Sequence, residues 1–129
     1  MKKLLFLVTV AALTICLLTG CGGGVKTYTD SGQTINVSVD QEFIIALESN
    51  PTTGYSWQAS YDETALELVG GESTYEPGEA SQEDLVGAGG TESFRFKALK
   101  AGETDITMVY KRSWEEYFAE QKVFTVDIK

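Results

Sequence analysis

Hydrophobic and polar residues alternate along most of the chain after Thr34. A period of two places successive side chains on opposite faces of a β-strand, and the apolar positions are rich in aromatic and β-branched residues. Strands with one apolar and one polar face are typical of an antiparallel sandwich. The alternation predicts seven strands, at about residues 34–39, 42–48, 55–61, 66–76, 91–99, 103–112 and 118–128.

No segment of this region has the 3.6-residue period of an amphipathic helix of ordinary length. The chain contains no internal repeat, and its 129 residues leave little room for a second domain. We therefore expect an all-β, immunoglobulin-like antiparallel β-sandwich of about seven or eight strands over residues 31–129. Trp57 falls on the apolar parity of its strand and is expected in the core.

The N-terminal segment resembles a secretory signal. Lys2 and Lys3 precede an apolar run over residues 4–18, which is shorter than the about 20 residues that a membrane span needs. The run ends in Leu-Thr-Gly followed by Cys21, a pattern that resembles a bacterial lipobox. The alternative is an ordinary signal peptide that leaves Cys21 as an unmodified thiol.

The lipobox interpretation predicts an exported, lipid-anchored, extracytoplasmic protein. Residues 1–20 would be a lipoprotein signal peptide, the sulfur of Cys21 would carry the lipid, and residues 21–30 would form a flexible, glycine-rich tether. The other cysteine, Cys16, would leave with the signal, so the folded part would contain neither a disulfide nor a cysteine-based metal site.

Charge and residue types exclude several classes of function. Loss of Lys2 and Lys3 with the signal would take the net charge from −9 to −11. This argues against a nucleic-acid partner, because phosphate binding needs clustered Lys and Arg. The chain has no histidine, which excludes Ser-His-Asp and Cys-His catalysis and the commonest metal ligand. Paired carboxylates are still possible, but no acidic pair stands out on one strand face, and we expect no enzymatic activity.

Strand alternation predicts where the loops lie. If every strand is antiparallel to the next, the connections 49–54, 77–90 and 113–117 meet at one end of the sandwich. The connections 62–65 and 100–102 lie at the opposite end and have the composition of short turns. Loops gathered at one end of a sandwich commonly form binding surfaces.

The three gathered loops have unusual sequences. The first is Asn50-Pro51-Thr52-Thr53-Gly54-Tyr55, in which the proline restricts the backbone and lowers the entropy lost on binding. The second contains Gly87-Ala88-Gly89-Gly90, which permits close backbone approach to another surface. The third contains Arg112-Ser113-Trp114, and Arg and Trp are enriched in interface hot spots. Taken singly, each loop also fits a structural explanation: a plain turn, a flexible connection, and a tryptophan folded over the sandwich end.

Taken together, in this order and spacing, the three loops resemble the chagasin-type inhibitors of cysteine peptidases. The resemblance covers residues 31–129, nearly the whole of the predicted mature chain. Ser113 departs from the pattern, because proline is usual between the Arg and the Trp of the third loop. This departure puts the rigidity of the loop in doubt and leaves open a second hypothesis, a surface-anchored binding or adhesion module on the same scaffold.

The resemblance implies a reversible inhibitor that inserts three loops as a wedge into the active site of a papain-like cysteine protease. It implies that the glycine loop covers the catalytic thiol and that the other two loops grip the groove walls, without a covalent bond or a cofactor. A monomer is expected. The implied protease-binding residues are Pro51, Thr52, Thr53, Gly54, Tyr55, Gly87, Ala88, Gly89, Gly90, Arg112 and Trp114.

Overall fold

The period-two segments form strands that pack as two sheets. The computed structural model describes residues 24–78 and 89–129, so the predicted signal peptide, Cys21, Gly87 and Ala88 lie outside the described residues. The described strands are β1 (Lys26–Tyr28), β2 (Ile35–Val37), β3 (Glu42–Ser49), β4 (Tyr55–Ser60), β5 (Leu66–Leu68), β6 (Thr74–Pro77), β7 (Gly90–Ala98), β8 (Gly102–Arg112) and β9 (Glu120–Ile128).

The two sheets form a β-sandwich, which confirms the predicted fold class. One sheet has the order β1-β3-β7-β5, with β6 also paired to β7, and the other has the order β2-β9-β8-β4. The inward faces carry the apolar positions that alternation predicts, and Trp57 is 4% exposed as expected. The core consists of Ile35, Val37, Phe43, Ile45, Leu47, Trp57, Ala65, Leu66, Phe94, Phe96, Ala98, Ile106, Met108, Phe124, Val126 and Ile128.

Three details correct the sequence-based description. Residues 26–28, assigned to the tether, form β1, whose first two residues are polar and exposed, so that the segment shows no alternation of apolar and polar positions. The predicted strand 66–76 is divided into β5 and β6, because Gly70 and Gly71 adopt φ values of 81° and 75°, which interrupt extended backbone. The sandwich is also not wholly antiparallel, since β1 pairs with β3 and β2 pairs with β9 in parallel at the sheet edges.

Strand register confirms that the described ends of the three connections lie at one end of the sandwich, as alternation predicts. β5 and β6 both run antiparallel to β7, so the division of that strand does not reverse the chain direction. Ser49 at the end of β3 pairs with Gly90 at the start of β7, and Tyr55 at the start of β4 pairs with Arg112 at the end of β8. Each sheet therefore delivers its unusual loops to one end, which we call the tip end.

Helical structure is minimal in the part of the chain that the structure describes. It consists of one 3₁₀ turn, Pro51–Thr53, in the first loop. No helix within residues 24–78 and 89–129 is both long and apolar enough to cross a membrane.

Candidate functional site: the tip end of the sandwich

The first loop is a 3₁₀ turn closed by its own residues. The N–H of Thr53 donates to the carbonyl of Asn50 at 3.2 Å, and the N–H of Gly54 donates to the carbonyl of Pro51 at 3.0 Å. The Thr53 hydroxyl donates to the same Asn50 carbonyl at 2.7 Å, and the Thr52 hydroxyl donates to the Asn50 side-chain oxygen. Both hydroxyls therefore stabilise the turn, and the side chains of Pro51, Thr52 and Thr53 are exposed at its surface.

Tyr110 of β8 joins this turn to the sheet formed by β2, β9, β8 and β4. The N–H of Asn50 donates to the Tyr110 hydroxyl at 2.9 Å. The Tyr110 ring lies between two aromatic neighbours, with its centroid 4.9 Å from that of Trp57 and 5.3 Å from that of Tyr55. Because Trp57 is buried, this stack connects the first loop to the core, and it places Tyr55 beneath the tip end.

Arg112 joins the first loop to the third. Its Nε–H donates to the Thr53 carbonyl at 3.0 Å, and its guanidinium group lies 4.6 Å from the centroid of the Tyr55 ring. An ion pair of 3.2 Å links Arg112 to Glu115 in the third loop. The guanidinium group is therefore largely engaged by groups of the first and third loops, so we assign Arg112 first to positioning.

Trp114 packs against the first loop and still exposes most of its surface. The side chain is 70% exposed. A Cβ atom added at Gly54, where φ is 84°, would stand 2.6 Å from Cη2 of the Trp114 ring, so only glycine fits this contact without a shift of the ring. The ring therefore lies over the first loop at the sandwich end, as the structural explanation expects, and it still presents most of its surface to solvent.

The glycine loop approaches the first loop from the other side. A Cβ atom at Gly89 would lie 3.1 Å from the Ser49 carbonyl oxygen and 3.7 Å from Cβ of Asn50. At Gly90 an added Cβ would overlap the Glu76 carbonyl oxygen of β6. Gly90 is thus required by the packing of the fold, whereas Gly89 is exposed at the edge of the tip end.

A buried carboxylate supports the same end of the sandwich. Glu92 is 7% exposed, and its two oxygens accept hydrogen bonds from the Trp57 N–H at 3.0 Å and from the Ser73 hydroxyl at 2.8 Å. Trp57 also donates through Nε1 to the Glu48 carbonyl at 2.9 Å. Glu92 therefore links β7 of one sheet to the edge strand β4 of the other, two residues after the glycine loop.

Sequence reasoning did not single out Tyr110 and Glu92 as part of this end. One signal for Glu92 was available, because it shares the inward parity of Phe94 and Phe96 and a charged residue at such a position needs buried partners. Of the predicted contact residues within the described ranges, the structure brings the first and third loops into direct contact and sets Gly89 beside the first loop. In these ranges no group of three or more Cys, His, Asp or Glu side chains is arranged to hold a metal ion.

Sequence comparison matches most of the chain to one family of peptidase inhibitors. Residues 36–128 match the family model described as chagasin family peptidase inhibitor I42. The chain is 34% identical over 109 residues to chagasin of Trypanosoma cruzi, covering 80% of this chain and 94% of that protein.

Solved structures show the same fold. The cysteine protease inhibitor EhICP2 from Entamoeba histolytica superposes with a TM-score of 0.65 at 24% identity, over 84% of this chain and all of that one. PbICP-C, solved in complex with falcipain-2, superposes with a TM-score of 0.52 at 22% identity, over 83% of this chain and 95% of that one.

Proposed function

Because the chain belongs to the chagasin family of peptidase inhibitors, we propose that its tip end plugs the active-site groove of a papain-like cysteine protease. The observation that carries this proposal is the interlocking of the loops. Arg112 holds the first loop to the third, Trp114 packs on Gly54, and Gly89 lies against the first loop. The first loop, the third loop and Gly89 therefore form one continuous edge.

Family membership confirms two predictions from the sequence: the domain is a cysteine protease inhibitor, and it is not an enzyme. The choice of a papain-like partner is supported by PbICP-C. That protein has the same fold as this chain and was solved in complex with falcipain-2. The hypothesis of an adhesion module rested on Ser113. That loop is nevertheless held by the Arg112–Glu115 ion pair and by a hydrogen bond from the Glu115 N–H to the Arg112 carbonyl at 3.1 Å.

Each loop has a distinct part in the proposed mechanism. The glycine loop is the narrow tip, because Gly89 brings no side chain that would prevent the backbone from entering a groove. Trp114 supplies exposed apolar area for one groove wall, and the first loop presents Pro51 to Gly54 to the other. Since hydrogen bonds hold the first and third loops in place before binding, these two loops lose little conformational entropy on association. Inhibition is by occlusion and needs no covalent step.

Titration of papain with the purified chain tests this function. We expect inhibition below micromolar concentration. Trp114→Ala should raise the inhibition constant by about 30-fold or more, because truncation of a hot-spot tryptophan costs at least about 2 kcal/mol. The thermal midpoint should hardly change, since the ring is mostly exposed. Leu99→Ala, an exposed apolar residue remote from the tips, is the matched control. Absence of inhibition at micromolar concentration would contradict the proposal.

We also propose that the chain is exported and anchored to a membrane through a lipid on Cys21. The lipobox-like sequence supports the lipid anchor. The position of β1 indicates that an anchored chain could still present its tips to a protease. Lys26 pairs with Phe43 at the start of β3, so the chain enters the sandwich at the end opposite the tips. A tether of five residues spans at most about 17 Å, so the tips would point away from the membrane.

Cell fractionation tests the proposed lipid anchor. Cys21→Ser should release the inhibitor from the membrane fraction and abolish incorporation of labelled fatty acid. The inhibition constant should stay the same, because the tips lie at the far end of β3. Retention of the variant in membranes together with unchanged labelling would rule out Cys21 as the anchor.

A further inference from the structure

The third loop exposes two more aromatic side chains beside Trp114. Tyr117 is 86% exposed and Phe118 is 53% exposed. Among the residues that the structure describes, these two and Trp114 are the large hydrophobic side chains with more than half of their surface in solvent. All three lie within five consecutive positions. Such a concentration of exposed apolar surface marks an interaction site more often than scattered single residues do.

Folding does not account for the positions of Tyr117 and Phe118. Neither ring belongs to the hydrophobic core or to the partly buried residues packed against it. The backbone that carries them is nevertheless ordered, because the Ala119 N–H donates to the Tyr110 carbonyl at 2.8 Å and closes the base of the loop. The rings are thus presented to solvent from a fixed loop, which lowers the entropy lost when a partner binds them.

The aromatic pair lies in the short segment between Trp114 and Glu120, both of which are at the tip end. Glu120, two residues after Phe118, lines an open depression together with Asn50, Gly89 and Gly90. The return limb of the third loop therefore runs beside the glycine loop at the tip end. A protease that covers Trp114 and Gly89 would come close to this limb.

The charges of the loop indicate the chemistry of the complementary surface. Glu115 is paired with Arg112, and Glu120 is paired with Lys122 at 3.5 Å. Glu116, next to Tyr117, takes part in none of the ion pairs found in the described ranges. The patch therefore combines two aromatic rings with one carboxylate whose charge is not balanced by a paired cation.

We propose that Tyr117, Phe118 and Glu116 form a second protease-binding site, called here the second anchor, which binds the target protease outside its active-site groove. The complementary surface is an apolar patch bordered by a Lys or Arg that pairs with Glu116. The second anchor depends on the proposed function, because it adds a second contact with the same protease. Groove walls are constrained by the need to bind substrate, whereas the surface beyond them is free to differ between proteases. The second anchor therefore sets which proteases the inhibitor prefers.

Inhibition constants against a panel of papain-like proteases test the second anchor. The variants are Tyr117→Ser with Phe118→Ser, and separately Glu116→Lys, with Leu99→Ser as the control for loss of an exposed apolar side chain elsewhere. We expect the double variant to raise the inhibition constant tenfold or more for some proteases and much less for others. Glu116→Lys should weaken inhibition of the same proteases. The thermal midpoint should stay close to that of the unaltered chain.

The outcomes separate this inference from the proposed function. If the unaltered chain inhibits the panel, Trp114→Ala weakens inhibition, and the double variant leaves every constant unchanged, the second anchor is refuted while the function stands. A double variant that dissociates a dimer of the inhibitor without altering inhibition refutes it equally, because the patch would then be a contact between copies. If the unaltered chain inhibits no member, both the function and the anchor fail.

Discussion

The two ends of the sandwich are built by different means. At the end opposite the tips, the turn at 62–65 is closed by its own residues, since Asp62 accepts hydrogen bonds from the N–H and the hydroxyl of Thr64 at 2.9 and 2.6 Å. The first loop at the tip end is closed in the same way, and backbone hydrogen bonds also join separate segments at the opposite end, such as that from the Leu99 N–H to the Ala65 carbonyl at 2.8 Å. At the tip end, however, side chains make the contacts that join different loops and both sheets. The hydrogen bond between Asn50 and Tyr110 spans 60 positions, and that between Arg112 and Thr53 spans 59.

This difference shows how one scaffold separates stability from recognition. A locally closed turn reverses the chain and can be altered without consequences for a distant loop. A set of interlocked loops keeps its arrangement only while each of them is in place. That arrangement forms a binding edge that exists before the partner binds. Substitutions at the two ends should therefore have different signatures: stability alone at the opposite end, and inhibition with or without stability at the tip end.

The largest contrast is expected from two glycines with nearly equal backbone angles. Gly54→Ala and Gly70→Ala each force alanine into left-handed backbone, with φ of 84° and 81°, at a cost of about 1–2 kcal/mol in the free energy of unfolding. At Gly54 the new methyl group also meets the Trp114 ring, whereas nothing lies within 4 Å at Gly70. Gly54→Ala should weaken inhibition about 10- to 100-fold, a loss of about 1.4–2.8 kcal/mol, and Gly70→Ala should leave it unchanged.

Thermal melts and inhibition constants measured on the same preparations check this pair. Equal effects of both substitutions on inhibition would mean that Trp114 does not depend on the first loop for its position.

A smaller effect is expected from removing one hydroxyl group. Tyr110→Phe leaves the Asn50 N–H without its Tyr110 acceptor and should lower the free energy of unfolding by about 1 kcal/mol. Inhibition should weaken about two- to tenfold, because the first loop loses one of its links to β8 and keeps the hydrogen bond from Arg112 to Thr53. Tyr61→Phe removes a hydroxyl from a ring that packs edge-on against Phe96, away from the tips, and should not affect inhibition. Inhibition unaffected by Tyr110→Phe would show that the remaining contacts suffice to position the loop.

The smallest effect concerns pH at the opposite end. The hydroxyl of Thr64, its backbone N–H and the charge of Lys100 hold the pKa of Asp62 below its ordinary value of 3.8. A lowered pKa in the folded state means that the carboxylate stabilises the fold above pH 3.8 and that this contribution is lost as the pH falls through the folded-state pKa. Asp62→Asn should therefore lower the thermal midpoint slightly at pH 6 and less at pH 3. Inhibition at pH 6 should be the same for both proteins, and a weaker inhibition by the variant would contradict the independence of the two ends.

Much of the fold was predictable because strand alternation is a local property. Each of the core strands shows its inward face in its own sequence, and Trp57 was correctly placed by parity alone. β1 was missed because Lys26 and Thr27 are both polar and exposed, so the segment shows no alternation. The break at Gly70 was missed because a glycine permits a turn but does not require one. The contact residues assigned to the three loops by resemblance stay predictions until inhibition is measured.

The amino-acid sequence by itself determined the strands, their inward faces and, through alternation of direction, the end at which the unusual loops gather. These properties depend on neighbouring residues and on chain connectivity. Only the tertiary structure decided that Arg112 and Tyr110 act as braces, that Gly54 is small to admit Trp114, and that Glu92 ties the sheets together. Each of these contacts joins positions 35 or more residues apart or lies between separate loops, and no local pattern specifies which partner a side chain will meet.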